Sequence, residues 1–315
     1  MSQYPIVLIP PVLERAQAAE PVTPALSYEL PIFSAPEPKK IAVPTIAAEA
    51  GVVTVASSLV AAKGGIVPGL LLFLAASGAI ATQVWRQAKR YKQGKQDYER
   101  QLAEYKQQEE ECRQQRKEYL ETVKQAKSPE GIAKFRYELV CQALEQVAPH
   151  DSNGKARRGW TEKKFGECLR QYFDNKIQEG LQLKIPDFNY PYTVDFGYVD
   201  PDLNLYIDIE IDEPYAYGSK EPLHCLGAWK DNKRNQFFLE RGWIVIRFCE
   251  EQIARYPQEC CKAIAEEIAD ILSDKSILEQ FSEVPSIEPM PQWTRQEAEK
   301  MAKEGYRDQY LKAAS

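Results

Sequence analysis

The sequence predicts an α/β protein with a mixed sheet flanked by helices, preceded by an apolar segment and a long helix. Three observations support this prediction. Strand-like and helix-like stretches alternate between residues 128 and 275. A run of 19 residues without a charge, 66–84, lies before them. Between the two, residues 86–127 are almost uninterrupted helix formers.

Composition excludes some classes of protein. The net charge of -6 argues against a chain that coats nucleic acid through bulk charge, so any DNA contact must be local. The seven cysteines are scattered without a CxxC pair, which predicts reduced thiols rather than a zinc site. Residues 1–44 are rich in proline and show no sustained hydrophobic period, and we expect a disordered lead there.

Residues 45–85 are predicted to be an apolar membrane segment. As a helix, residues 66–84 would be about 28 Å long, close to the hydrocarbon thickness of a bilayer. Trp85 follows at the expected interface, and basic residues crowd the next ten positions. The positive-inside rule therefore predicts that the rest of the chain is cytoplasmic. These basic residues are Arg86, Lys89, Arg90, Lys92 and Lys95.

The preceding stretch, residues 41–65, is also apolar but contains Glu49, which is costly in a bilayer. With Gly64 and Gly65 as a turn, it would be the first arm of a membrane hairpin whose two ends are both cytoplasmic. A single span is the alternative, and so is an apolar helical hairpin buried against protein. Length and flanking charge favour the membrane.

Residues 86–127 predict a long helix with a weak coiled-coil stripe, which would form a stalk or a homodimer contact. A solvated single helix is the alternative, because Lys95, Glu109 and Arg116 interrupt the stripe. The stripe comprises Ala88, Tyr91, Tyr98, Leu102, Tyr105, Cys112, Tyr119 and Val123.

Residues 128–275 predict the α/β domain. Amphipathic stretches at 130–147 and 161–173 indicate helices, the second with Thr161 as N-cap. Strand-like stretches follow at 181–185, 192–199 and 203–211, and the turn residues between the last two predict an antiparallel hairpin. A helix over 228–242 and an apolar strand over 243–248 then predict a βαβ unit. Residues 258–272 indicate another helix, and residues 276–315 a linker and a polar C-terminal helix.

The strand that begins at residue 203 carries a row of carboxylates along one face. Because side chains alternate along a strand, Asp208, Glu210 and Asp212 share one face, opposite an aliphatic face. Like charges so close together repel unless water or a cation separates them. The predicted hairpin brings Asp195 beside Glu210, and two carboxylates suit Mg²⁺ or Mn²⁺. We therefore expect a metal site on a covered sheet, whereas a solvated acidic face is the alternative.

The stretches "YTVDFGYVDPDLNLYIDIEIDEPY" and "DNKRNQFFLERGWIVIRF" resemble the restriction-endonuclease-like PD-(D/E)XK superfamily, and within it domains related to very-short-patch-repair endonucleases. The resemblance spans residues 130–275, and Glu162 resembles an acidic residue of their first helix. It implies Mg²⁺- or Mn²⁺-dependent nuclease activity on DNA, with Asp195 and Glu210 as metal ligands. Asp187, in the literal Pro-Asp pair, competes with Asp195 for the first role.

Asp212 departs from the superfamily pattern, because it occupies the position that holds lysine in many members. It would ligate a second metal, or Lys230 or Lys233 from the next helix would substitute for the missing lysine. His224 is a candidate proton shuttle. The residues expected to contact nucleic acid are Lys230, Lys233, Arg234 and Arg247, and Tyr215 and Tyr217 are candidates for stacking on a base.

Three functions remain open from the sequence, and one of them is a membrane-linked coiled-coil organiser in which the long helix is the functional part. The other two concern the α/β domain. The first is a membrane-tethered, metal-dependent endonuclease that hydrolyses phosphodiester bonds of DNA. The second is a nuclease-fold nucleic-acid-binding or scaffold protein at the membrane without catalysis, which the aspartate in the lysine position favours.

Overall fold

The computed structural model describes residues 2–23, 31–40, 43–154 and 160–314. The chain divides into two compact units. The first unit combines Met1–Val22 with Gln125–Ser315, and the second is Thr23–Lys124. The second unit is therefore an insertion, in sequence, between two parts of the first.

The secondary structure is mixed. In the described residues the strands are β1 (Gln3–Tyr4), β2 (Ile6–Leu8), β3 (Ser152–Asn153), β4 (Ile177–Gln178), β5 (Leu181–Leu183), β6 (Tyr192–Thr193), β7 (Phe196–Asp200), β8 (Leu205–Asp212), β9 (Ile244–Cys249) and β10 (Met290–Pro291). The α-helices are α1 (Pro11–Ala18), α2 (Val43–Gly64), α3 (Ile66–Ala126), α4 (Pro129–Leu144), α5 (Trp160–Phe173), α6 (Trp229–Glu240), α7 (Glu250–Arg255), α8 (Pro257–Leu272), α9 (Arg295–Glu304) and α10 (Tyr306–Ala314). Short 3₁₀ helices cover Asp174–Lys176 and Ser276–Phe281.

The central sheet of the first unit is mixed and has the strand order β2-β9-β8-β7-β4. β7 and β8 form the predicted antiparallel hairpin, with Phe196 opposite Ile209. β8 and β9 are parallel and are joined through α6, so the predicted βαβ unit is confirmed. Every residue of β8 and of β9 is buried, because helices cover both faces of the sheet.

The stretch 192–199 was predicted as one strand, and the structure divides it. β6 pairs with β5 in a small sheet, whereas β7 pairs with β8 in the central sheet. Val194 and Asp195 lie at the break, where Val194 N–H donates to the carbonyl of Leu181. Asp195 therefore lies just before β7, outside the strands of the central sheet. Its carboxylate lies beside the end of β8.

The two faces of the central sheet are covered differently. Phe165 of α5 packs on the aliphatic face, with ring centroids 5.8 Å from Phe196 and 6.3 Å from Phe248. α8 buries Cys261 and Ile264 in the same core. α6 covers the acidic face instead. The aliphatic side of the sheet therefore supplies the hydrophobic core, and the opposite side supplies the candidate site.

The prediction that residues 1–44 form a disordered lead is wrong for residues 3–18. β2 pairs antiparallel with the edge of β9, and α1 packs against α4 with Leu13 buried. The prolines were misleading, since Pro11 occupies the first helical turn of α1, where its missing N–H costs nothing. The part of this expectation that covers residues 24–30 and 41–42 lies outside the described residues.

The C-terminal segment is also more structured than the predicted linker and helix. α9 and α10 are separated by Gly305 at φ 61°, and they belong to the first unit. Arg307 donates to both carboxylate oxygens of Glu250 at 2.7 Å, and the Tyr310 hydroxyl donates to the same group at 2.5 Å. These bonds fasten α10 to α7.

The second unit contains α2 and α3. Among the described helices, α3 is long and apolar enough to cross a membrane by length and composition. α3 includes both the apolar run and the predicted long helix, and it continues without a break as far as Ala126. Part of the predicted coiled-coil stripe contacts the chain itself, because Phe33 packs on Tyr98 and Tyr105 at 5.6 and 5.3 Å between ring centroids. Dimerisation through the stripe stays a prediction.

Candidate active site

The carboxylate row lies on one face of β8, as its alternation predicted. Its residues are almost fully buried: Asp208 is 0%, Glu210 8% and Asp212 1% exposed. A row of charges held away from water needs compensation. The structure provides it through two arginines, one from α6 and one from β9.

Arg234 of α6 binds the first two carboxylates. Its Nη1 lies 2.5 Å from Asp208 Oδ2, and its Nη2 lies 2.6 Å from Glu210 Oε1. The guanidinium also packs over the ring of Phe238 at 4.4 Å. Burial acts to lower the pKa of Arg234, but the two carboxylates outweigh that effect and raise its pKa above the ordinary value. Arg234 is therefore a charged, buried member of the sheet–helix interface.

Arg247 of β9 binds the third carboxylate. Its Nε and Nη2 lie 3.0 and 2.6 Å from the two oxygens of Asp212. Tyr4 of β1 donates its hydroxyl proton to Asp212 Oδ2 at 2.9 Å. Arg247 Nη1 donates to Asn235 of α6 at 3.0 Å. Both oxygens of Asp212 are thus engaged within the fold.

These contacts correct two expectations. The expectation that only a divalent cation makes the acidic row tolerable is wrong, because Arg234 and Arg247 form ion pairs with all three carboxylates. Asp212 is not a suitable metal ligand, since a metal would have to displace a two-pronged guanidinium contact and a tyrosine. Arg234 and Arg247, which are 9% and 2% exposed, are also not placed to contact DNA.

Asp195 meets Glu210 as predicted. The backbone N–H of Asp195 lies 3.3 Å from Glu210 Oε1, and the N–H of Ile211 donates to Asp195 Oδ2 at 2.9 Å. Asp195 is partly exposed. Burial raises the pKa of Glu210 and that of Asp195. The guanidinium of Arg234 lowers both pKa values, but it is shared by several carboxylates and offsets the effect of burial only in part. Asp187 lies in an exposed loop, so the structure brings Asp195 to this position instead.

Asp195 and Glu210 together offer carboxylate oxygens to a metal ion. Within the described part of the chain, the hydrogen bonds above use Glu210 Oε1 and Asp195 Oδ2, and the second oxygen of each carboxylate could accept another ligand. Mg²⁺ is commonly held by one or two carboxylates together with water and substrate phosphate. No cluster of three or more His, Cys, Asp or Glu side chains arranged to hold a metal occurs within the described residues. The site therefore fits a two-carboxylate metal site and not the three-carboxylate site predicted.

His224 lies between the acidic row and α6, at φ 46°. Its Nδ1 is 3.2 Å from Asp231 Oδ1 and 3.0 Å from Arg247 Nη2. The contact with Asp231 requires a proton on Nδ1, whereas that with Arg247 requires a lone pair there. Burial acts to lower the pKa of His224, but Asp231 and Asp212 raise it overall. The imidazole is thus placed to exchange a proton beside a cleft of about 390 Å³.

The two lysines expected to act beside the carboxylates do not lie there. Lys230 and Lys233 are exposed on α6, and Lys233 Nζ lies 4.5 Å from the ring centre of Trp229, which is itself 65% exposed.

The two tyrosines predicted to stack on a base differ in their exposure. Tyr215 is fully buried and its hydroxyl accepts the N–H of Arg307, whereas Tyr217 is 68% exposed.

Sequence reasoning missed Glu213, directly after the acidic row. Its carboxylate lies 3.9 Å from His224 Nε2 and 3.8 Å from Arg307 Nη2. Burial raises the pKa of Glu213 to about 7, against a lowering effect of Arg307. A carboxyl group with a pKa near neutrality is suited to general acid–base chemistry. The sequence signal was present in "EIDEPY", where a fourth acidic residue directly follows the last carboxylate of the row.

Comparisons with protein-family models, with curated proteins and with solved structures each gave no match. The candidate function therefore depends on the geometry of the site and on the resemblance of its motifs.

Proposed function

We propose that the first unit has a restriction-endonuclease-like fold and hydrolyses phosphodiester bonds of DNA, held at a membrane by the second unit and facing the cytoplasm. The observation that supports catalysis is the contact between Asp195 and Glu210 at the break between β6 and β7. There the two carboxylates keep one oxygen each for a further ligand, and Asp195 is reached by solvent.

Asp195 and Glu210 would hold the Mg²⁺ or Mn²⁺ ion. When bound, such an ion lowers the pKa of a water ligand and stabilises charge on a phosphoryl oxygen. Glu213, whose pKa burial raises to about 7, supplies a group that accepts or returns a proton near neutral pH, and His224 Nε2 lies 3.9 Å from it. Lys230 and Lys233 present exposed positive charge on α6 for the DNA backbone.

The test is to compare Asp195→Asn with Asp187→Asn in the full chain. Asparagine retains an oxygen that accepts from Ile211 N–H but removes the charge, so the fold is preserved. Losing one ligand that contributes about 3 kcal/mol to the transition state lowers the rate roughly 100-fold. We expect Asp195→Asn to slow Mn²⁺-dependent cleavage of plasmid DNA roughly 100-fold and to weaken Mn²⁺ binding by calorimetry. Asp187→Asn should retain both, and equal activity of the two variants would refute the proposal.

A second candidate is a nuclease-fold domain that binds DNA without cleaving it. The engagement of Asp212 by Arg247 and Tyr4 favours it, because no lysine ammonium takes the position that many superfamily members use. Under this alternative, the chain binds DNA with an affinity that falls when Lys230 and Lys233 are both changed to glutamine. Calorimetry would then detect no Mn²⁺ site, whereas the catalytic proposal requires one.

A further inference from the structure

We propose that α2 and the first part of α3 enter the lipid bilayer as a two-armed hairpin, with both ends on the same side as the first unit. This inference rests on the membrane anchoring in the proposed function and decides its topology.

The first unit is formed from two separate parts of the chain. Residues 1–22 and 125–315 belong to one compact unit, and the second unit lies between them in sequence. β2 pairs with β9, and Tyr4 donates a hydrogen bond to Asp212 at the end of β8. A single membrane crossing would place these two parts of one folded unit on opposite sides of the bilayer. An even number of crossings is therefore required.

The second argument is the contact between the two arms. Gly65, at φ +99°, separates α2 from α3, and a Cβ built on Gly69 would lie 2.5 Å from the Cβ of Ala61. Residues eight apart in one straight helix would be about 12 Å apart, so the chain reverses here. A Cβ built on Gly94 would lie 3.7 Å from Pro38. The pairs Ala61–Gly69 and Pro38–Gly94 are placed almost symmetrically about Gly65, as an antiparallel hairpin requires.

The third argument is the surface of the arms. Large aliphatic side chains are exposed along both: Val52 69%, Val55 62%, Leu59 56%, Ile66 81%, Val67 68%, Leu70 56% and Leu71 63%. Two hydroxyl groups donate within their own helix, Ser58 to the carbonyl of Thr54 and Thr82 to that of Gly78, both at 2.8 Å. Helices in hydrocarbon satisfy their polar groups in this way. Close contact through small residues such as Gly69 and Ala61 is likewise typical of helix pairs in membranes.

The fourth argument is length and charge. α2 has 22 residues, about 33 Å of helix, and the uncharged part of α3 has a similar length. Glu49 is the seventh residue of α2, which places it about one third of the way along the arm rather than at its middle. Basic residues flank both open ends, at Lys39 and Lys40 before α2 and at Arg86, Lys89 and Arg90 within α3. The positive-inside rule then places both open ends in the cytoplasm.

The test uses the full chain in sealed membrane vesicles of known orientation. Epitopes are introduced, one per variant, within residues 31–40, between Gly64 and Gly65, and after Ser315. We expect the first and third to be digested by added protease only in vesicles whose cytoplasmic face is outward. The epitope at the turn should show the opposite pattern. All three variants should resist extraction with alkaline carbonate.

Opposite accessibility of the first and third epitopes would overturn the hairpin topology while leaving a single anchor. A turn epitope on the same side as the others would overturn the crossing, and so would recovery of the chain in the soluble fraction, which indicates a protein partner or a second copy on the apolar arms. DNA cleavage is measured separately on detergent-solubilised chain. Its absence with the expected topology would refute the catalytic proposal alone.

Discussion

At the scale of single residues, the candidate site contains more buried or partly buried carboxylates than guanidinium groups. Asp208, Glu210 and Asp195 all lie near one guanidinium, that of Arg234, and the first two carboxylates are almost fully buried. Breaking a buried ion pair by removing one partner costs more than the pair itself contributes, because the other partner stays buried and charged. Arg234 is thus expected to be essential for stability rather than for contact with DNA.

Replacing Arg234 by methionine tests this expectation. We expect Arg234→Met to lower the free energy of unfolding by about 3–5 kcal/mol in urea titrations. The exposed neighbour provides the control, since Lys233→Met should change stability by no more than about 0.5 kcal/mol. Combining Arg234→Met with Asp208→Asn should recover part of the loss, because the buried charge is then removed. A loss that is the same in both backgrounds would contradict the assignment.

The raised pKa of Glu213 predicts that the free energy of unfolding depends on pH. Its pKa is about 7 in the folded protein and near 4.5 in a free chain, so the folded state binds the proton more tightly. The stabilisation is complete below pH 4.5 and is lost as pH rises through 7, on the order of 3 kcal/mol. Glu213→Gln should remove this part of the slope and be relatively more stable above pH 7. Glu221→Gln, an exposed control, should retain the slope of the unmodified chain.

At the scale of elements, the N-terminal segment is the main difference between expectation and structure. β2 lies at the edge of the central sheet beside β9, and α1 buries Leu13 against the core. The sequence favours disorder here because two neighbouring prolines interrupt any hydrophobic period. Such a short strand has no independent stability, and only the exposed edge of β9 gives it a partner.

A pair of truncations in α1 tests whether the segment is part of the core. Leu13 is 1% exposed, and Leu13→Ala should reduce the free energy of unfolding by about 2–5 kcal/mol. Val12 is 41% exposed, and Val12→Ala should have little effect. Thermal unfolding followed by circular dichroism measures both. Equal, small effects of the two changes would mean that α1 is not packed on α4.

The elements of the candidate site were predictable to different degrees. The alternation of β8 and the turn before it fix the register, so the approach of Asp195 to Glu210 follows from local sequence. The residues that form ion pairs and hydrogen bonds with the acidic row cannot be predicted from local sequence. Arg234 is 26 residues from Asp208, and Tyr4 is 208 residues from Asp212. Contacts over such separations depend on how α6 and β1 pack, and no periodicity encodes them.

At the scale of the whole molecule, the interrupted first unit has a consequence that can be measured. Its two parts, Met1–Val22 and Gln125–Ser315, share one core although the second unit separates them. They should therefore remain associated after the chain between them is cut.

A protease site inserted after residue 36 allows this to be checked. After cleavage, the N-terminal fragment should co-elute with the remainder in size-exclusion chromatography without denaturant, because β2 and α1 stay in place. The same cut in a Leu13→Ala chain should release the fragment faster. Immediate release from the unmodified chain would show that the first unit does not depend on its N-terminal part, and it would remove the first argument for the hairpin.

The sequence alone determined the α/β class, the βαβ unit, the length of the apolar run and the single-faced row of carboxylates, because each depends on local periodicity or composition. The tertiary structure decided what compensates that row, which carboxylates retain an oxygen for a ligand, and that the N-terminus belongs to the sheet. These features depend on contacts between distant segments, where the free energy of burying charge and closing a sheet edge selects partners that are far apart in the chain.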